Sequence, residues 1–310
     1  MYIGIDIGGT KCAVIKAKES MDIVCKKVFA TTGPEETLQR IIDIVNEMMP
    51  AKAIGISCGG PLDEEGGIIL SPPNLPGWDN IKIKEILEDK FSVPVKLRND
   101  ANACALAEYK FGAGKGYKNI VFLTFGTGLG AGLILNGKLY SGSNGNAGEV
   151  GHIRLADDGP IGYGKRGSFE GFCSGGGIAR LALEHIQSEE SKGRKSELKN
   201  HLINGEIDTK TLAELAYSGN EDAIKIFDIS ADYLGRGLSV IIDILNPDAI
   251  VIGSVYSRAK SLFDKKMYEV ICREALGASS EKCSILPALL GEQIGDVAAI
   301  TVAMEERDEV

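Results

Sequence analysis

The sequence predicts an α/β protein built from two similar halves. Three observations carry this. Apolar, strand-like runs alternate with stretches of helical periodicity. A strand, a glycine turn and a second strand occur at the N-terminus and again near the middle of the chain. The length of 310 residues fits about two average domains.

The elements read as follows. Tyr2-Ile3-Gly4-Ile5-Asp6-Ile7 is an apolar run ending at Gly8-Gly9-Thr10, and Cys12-Ala13-Val14-Ile15 follows at once, which predicts a hairpin with a glycine turn. Residues 35–49 place Leu38, Ile41, Ile42, Ile44, Val45 and Met48 at helical spacing. Ala53 to Ser57 reads as a buried strand, and Asn99-Asp100 precede a helical stretch from Ala101 to Phe111, stopped by Gly112. A second strand–turn–strand runs from Asn119 to Phe125, through Gly126-Thr127-Gly128-Leu129-Gly130, and on to Leu135. Its likeness to the opening hairpin points to an internal duplication. Residues 141–177 are rich in glycine and polar residues and read as extended loops. Helices are expected over about 177–187 and 220–245, a strand over Asp248–Gly253, and a final helix over Gly295–Met304.

Composition narrows the function classes. A net charge of -9 argues against a broad basic surface for nucleic acid. Anionic ligands stay possible, because backbone N–H groups bind phosphate without a basic excess. No apolar run approaches the roughly 20 residues that span a bilayer, so no membrane partner is expected. The N-terminus lacks the features of a signal peptide, and a cytoplasmic location is expected. The seven cysteines are dispersed and never paired as C-x-x-C, as expected for reduced thiols.

Glycines after a strand supply convergent N–H donors with no side chain in the way. Asp6 stands at the mouth of the first turn, where a carboxylate can hold Mg²⁺ through water, and Thr10 and Thr127 offer hydroxyls to phosphate. Each turn alone also reads as a tight hairpin without a ligand. Neither is a Walker A motif, and neither leads directly into a helix as a Rossmann fingerprint does.

Four motifs in order carry a family resemblance: Asp6-Ile7-Gly8-Gly9-Thr10-Lys11, Asn99-Asp100-Ala101-Asn102-Ala103, Gly126-Thr127-Gly128-Leu129-Gly130 and Gly148-Glu149-Val150-Gly151-His152. The set resembles that of the ROK family of bacterial sugar kinases and regulators, over residues 2 to about 304. The resemblance implies two ribonuclease-H-like α/β domains of the actin/hexokinase type with an interdomain cleft. The expected domains are 1–118 plus 294–310, and 119–293, with the C-terminal helix returning to the first. It also implies a homodimer.

By the same resemblance the function is transfer of the γ-phosphate of ATP to a hexose hydroxyl, as in a glucokinase, with Mg²⁺ as cofactor. Asp100 matches the catalytic base and Asn99 its sugar-binding neighbour, although locally either residue also reads as a cap of the helix that follows. Gly60, Asn74, Glu149, His152 and Glu170 match sugar contacts. Taken alone, the glutamates read as surface carboxylates, His152 as a structural hydrogen-bonding residue, and the Asn74 loop as a rigid turn around Trp78, the one tryptophan. The nucleotide side comprises Asp6, Gly8, Gly9, Thr10, Lys11, Gly126, Thr127, Gly128 and Gly253, with Ser174-Gly175-Gly176-Gly177 lining the same side. After Gly253 the family often carries a second glycine, where this chain has Ser254.

Many relatives hold a structural zinc with one histidine and three cysteines. Here Ile161, Tyr163 and Ser168 stand at the cysteine positions, so no structural zinc is expected. Ile161, Tyr163, Phe169 and Phe172 are expected to hold that loop by apolar packing instead. Two alternatives remain. One is a sugar-responsive regulator, disfavoured because the first strand begins at Tyr2 and leaves no room for an N-terminal helix-turn-helix. The other is a non-catalytic sugar sensor, disfavoured by the joint presence of Asp6, Thr10, Asp100 and Thr127.

Overall fold

The structure, a computed structural model, describes residues 1–305. The chain forms β1 (Tyr2–Ile7), β2 (Lys11–Ala17), β3 (Ile23–Ala30), α1 (Pro34–Met48), β4 (Ile54–Cys58), β5 (Leu62–Asp63), β6 (Ile68–Ile69), α2 (Ile83–Phe91), β7 (Val95–Asn99) and α3 (Asp100–Phe111). Next come β8 (Ile120–Phe125), β9 (Leu129–Leu135), β10 (Lys138–Leu139), β11 (Ile161–Gly162), β12 (Lys165–Arg166), α4 (Phe169–Phe172), α5 (Gly175–Ser191), α6 (Thr209–Tyr217) and α7 (Glu221–Leu245). The chain then continues through β13 (Ala249–Ile252), α8 (Ser254–Glu274), α9 (Gly277–Ser280), β14 (Ser284–Pro287) and α10 (Ile294–Ala303). The expected first domain runs to residue 310, and residues 306–310 of that expectation lie outside the described residues.

Two main sheets have strand orders β3-β2-β1-β4-β7 and β10-β9-β8-β13-β14. Each opening strand lies between its hairpin partner and a later, parallel strand, β4 for β1 and β13 for β8. The orders correspond strand for strand, as a duplication requires. The chain divides into two compact units. One comprises residues 1–116, 132–147 and 289 onward; the other comprises 117–131 and 148–288.

In the first unit, strand alternation sorts side chains by size. Ile3, Ile5 and Ile7 of β1 and Ile54, Ile56 and Cys58 of β4 face one core, shared with Ile41 and Val45 of α1 and Leu87 of α2. Burying such an aliphatic side chain stabilises the fold by about 1.5–3 kcal/mol. The opposite face has Gly4 beside Gly55 in the parallel register. A Cβ added at Gly4 would lie 2.7 Å from the nitrogen of Ile300, and one at Gly55 only 2.2 Å from that of Ala303. Two paired glycines therefore make a flat floor on which α10 rests its backbone. Asp6 is two residues beyond Gly4 on this face, so the register alone delivers its carboxylate to the first turn of α10.

In the second unit, α7 begins at Asn220, whose side chain accepts the Ala223 N–H at 2.9 Å, and ends at Asn246 in the left-handed conformation. Phe263 of α8 packs edge-on to Phe125 and Phe227, each at 5.4 Å. Residues 254–274 give little sequence signal for a helix. The reason is local: the segment is strongly charged, and its first residue, Ser254, has φ 51°.

Candidate functional site

In the first unit, β1 and β2 form the expected hairpin, with Ile7 opposite Cys12 and the Gly8 N–H donating to the Lys11 carbonyl at 3.1 Å. Thr31, which the sequence did not single out, donates its hydroxyl to the Gly8 carbonyl at 2.6 Å and fixes the turn from behind. Gly9, Thr10 and Lys11 are exposed. An added Cβ at Gly9 would meet the Asn74 carbonyl at 2.6 Å, so the turn can approach the Asn74 loop only because it carries glycine there. The Asn74 amide also lies next to Gly59, and that of Asn99 next to Gly60. Thus Asp6, the glycine turn, Gly60, Asn74, Asn99 and Asp100 gather in one unit.

Asn99 ends β7 and caps α3. Its Oδ1 accepts the Ala101 N–H at 2.9 Å, and Asp100 Oδ1 accepts the same N–H at 2.8 Å. Beneath this corner lies Glu64, which sequence reasoning missed. Its carboxylate accepts the Asn99 N–H at 2.7 Å, the Asn102 amide at 3.0 Å and the Arg98 guanidinium at 3.2 Å. Arg98 also pairs with Glu305 at 3.0 Å. No local signal marks Glu64, because Asp63-Glu64-Glu65 reads as a solvated acidic run. Glu64, Arg98 and Glu305 border a cavity of about 830 Å³ together with Ser141 and Lys110.

Three carboxylates set the electrostatics here. Asp296, in the first turn of α10, is neutralised by Lys26 at 2.6 Å. Burial pushes the Asp100 carboxyl up, offset in part by the Ala101 hydrogen bond, although its side chain still reaches solvent. Asp6 rises to about 6, through burial first, then the charges of Asp100 and Asp296, against the opposing pull of Lys11 and Lys26. Among the described residues, no three His, Cys, Asp or Glu side chains are grouped to hold a metal directly. A half-buried carboxylate with excess negative charge beside it nevertheless suits a cation held through water at Asp6.

The second unit joins its predicted residues in the same manner. Glu170, in the first turn of α4, accepts the Leu129 N–H at 3.0 Å, and an added Cβ at Gly128 would meet the same carboxylate oxygen at 2.7 Å. Gly151 of the Gly148-to-His152 segment packs on the Leu129 carbonyl. The Gly175 N–H donates to the Gly126 carbonyl at 2.7 Å, and Ser174 caps α5 by accepting the Gly177 N–H at 2.9 Å. Thr127 and Glu149 are exposed. Gly253 is buried against Phe122, and the exposed residue at that corner is Ser254, near Gly126. Its left-handed backbone is the conformation that a second glycine would adopt without strain.

The loop after His152 departs from the packing expected of it. Phe169 and Phe172 are buried, with Phe172 stacked on Tyr233 at 3.4 Å, but Ile161 and Tyr163 are exposed. Both belong to a hairpin of only two residues per strand, too short to turn both faces inward. Polar contacts hold it instead: Lys165 to the His152 carbonyl at 2.6 Å and Arg154 to the Arg166 carbonyl at 2.7 Å.

The family model described as ROK family matches residues 2–306. The chain belongs to the ROK family. It is 33% identical to a glucokinase of Thermotoga maritima over 98% of this chain and 97% of that protein. The crystal structure of a ROK family glucokinase from Streptomyces griseus, in complex with glucose and AMPPNP, is 32% identical, covers 97% of this chain and 98% of its own, and superposes with a TM-score of 0.79. A xylose repressor of Bacillus subtilis is 29% identical over 94% of this chain and 73% of the repressor. As a ROK protein the chain has the α/β fold of the actin/hexokinase type. None of its described helices is long and apolar enough to cross a membrane.

Proposed function

We propose that this ROK protein is an ATP-dependent hexose kinase of the glucokinase kind. The observation that carries the reading is the pair Asp6 and Asp100, two carboxylates in one unit, one at a glycine turn and one at the head of α3, with the charge of Asp100 acting on Asp6. Likeness to glucokinases over nearly the whole chain supports it.

Asp100 orients the sugar hydroxyl and accepts its proton as the oxygen bonds to the γ-phosphorus and the bond to the β–γ bridging oxygen breaks. ADP leaves, and the proton passes from Asp100 to solvent. Asn99, Asn74, the backbone at Gly60, Glu149, His152 and Glu170 bind the remaining hydroxyls. The N–H groups of Gly8 to Lys11 and Gly126 to Gly128, with the hydroxyls of Thr10 and Thr127, cradle phosphate oxygens. Gly253 lies on the nucleotide side, with Ser254 as its exposed neighbour. Mg²⁺ held through water at Asp6 would offset the charge of the phosphates.

No structural zinc forms part of this proposal. Cys173, the one thiol near the loop, is buried and donates to the Ser230 carbonyl at 3.3 Å. Near-stoichiometric zinc on elemental analysis, lost together with sugar binding, would overturn that part. A homodimer is proposed from family likeness, and sedimentation as a monomer at assay concentrations would remove it. A coupled ADP-release assay across glucose, mannose, fructose and N-acetylated hexoses tests the central reading. Turnover with at least one hexose is expected; sugar binding without any ADP release would favour the regulator or sensor.

A further inference from the structure

Tyr163 and Gly164 are the two turn residues of the hairpin β11–β12, with φ of 46° and 74°. Two positive φ values mark the I′ turn, whose first position favours asparagine, aspartate or glycine. An aromatic residue there holds the left-handed backbone at a cost. Its ring gains little by burial, being 64% exposed. What it does touch is His152: the rings meet edge to face, with centroids 5.0 Å apart and planes at 80°. The same hairpin sends Lys165 Nζ to the His152 carbonyl at 2.6 Å. The hairpin therefore holds His152 by ring and by backbone, and the strained residue is the one that supplies the ring contact.

We infer that Tyr163 is a positioning residue that fixes the His152 imidazole for the sugar. The inference rests on the reading that His152 binds a sugar hydroxyl. Tyr163 touches no reacting atom in this scheme; it removes rotational freedom from the histidine before sugar arrives, so binding costs less entropy. The contribution falls on affinity, not on the chemical step.

The test uses the full chain and three substitutions. Tyr163→Asn keeps a residue suited to the turn and removes the ring. It should raise the KM for the best hexose about two- to tenfold, the worth of one ring–ring contact. Its kcat should be unchanged, and its melting temperature equal to or above that of the parent. Tyr163→Phe keeps the ring and should behave as the parent. In sugar-free protein, the imidazole resonances of His152 should shift in Tyr163→Asn, while those of His185 and His201 stay in place. An unchanged KM in Tyr163→Asn, with KM raised in His152→Gln, would overturn the positioning role. So would a Tyr163→Phe variant as impaired as Tyr163→Asn, or an undisturbed His152 resonance. A His152→Gln variant with unchanged KM would instead overturn the sugar-binding reading of His152.

Discussion

Glu64 accepts the backbone N–H of Asn99 at 2.7 Å from a side chain that is nearly fully buried. Through this bond, and those from Asn102 and Arg98, one carboxylate holds the strand–helix corner that carries Asp100. Glu64→Ala should destabilise the protein by about 3–5 kcal/mol, because it leaves buried donors and a guanidinium short of a partner. It should also lower kcat. Glu64→Gln keeps an acceptor for the Asn99 N–H and should lose less on both counts. Urea unfolding and ADP release of both variants check this.

Asp100→Ala should reduce kcat by about 10²-fold or more, the usual contribution of a general base. The fold should survive, because Asn99 still caps α3 through the Ala101 N–H. A folded variant keeping more than roughly a tenth of the parent kcat would remove Asp100 from the role of base.

Asp6 should make the ligand-free protein less stable as pH rises. Its folded pKa, about 6, lies above the ordinary 3.8, so the native state binds more protons than the unfolded chain within that window. The cost of the charged form is complete above pH 6 and relieved as pH falls toward 3.8. Asp6→Asn abolishes this dependence. Relative to the parent, its stability at pH 7.5 minus that at pH 4 should be greater by about 1–3 kcal/mol. Parallel stability–pH curves for the two proteins would contradict the assignment.

Gly55→Ala should destabilise by about 1–3 kcal/mol or more, the cost of overpacking a site that cannot give way. The obstacle is the α10 backbone, 2.2 Å from the added carbon. Thermal melting reads the effect directly, and an unchanged melting temperature would show that α10 shifts freely on the sheet.

The sequence alone determined the local features. Periods of two and of 3.6 revealed the paired hairpins, β4, α1, α3, α7 and α10, and the two glycine turns, with Asp6, Thr10 and Thr127 in or beside them, stood out as candidate phosphate sites. These are legible because each depends on residues only a few positions apart. Tertiary structure decided the rest. It placed Glu64 beneath Asn99, Glu170 against the Leu129 N–H, Thr31 behind Gly8, and Tyr163 on His152. It also turned Ile161 and Tyr163 outward where packing was expected. Such pairings follow from strand register, from which glycines let backbones meet, and from how far a short hairpin can bury its faces. None of these is encoded in a run of neighbouring residues, so a carboxylate in Asp63-Glu64-Glu65 looks the same in sequence whether it meets water or holds the corner that carries Asp100.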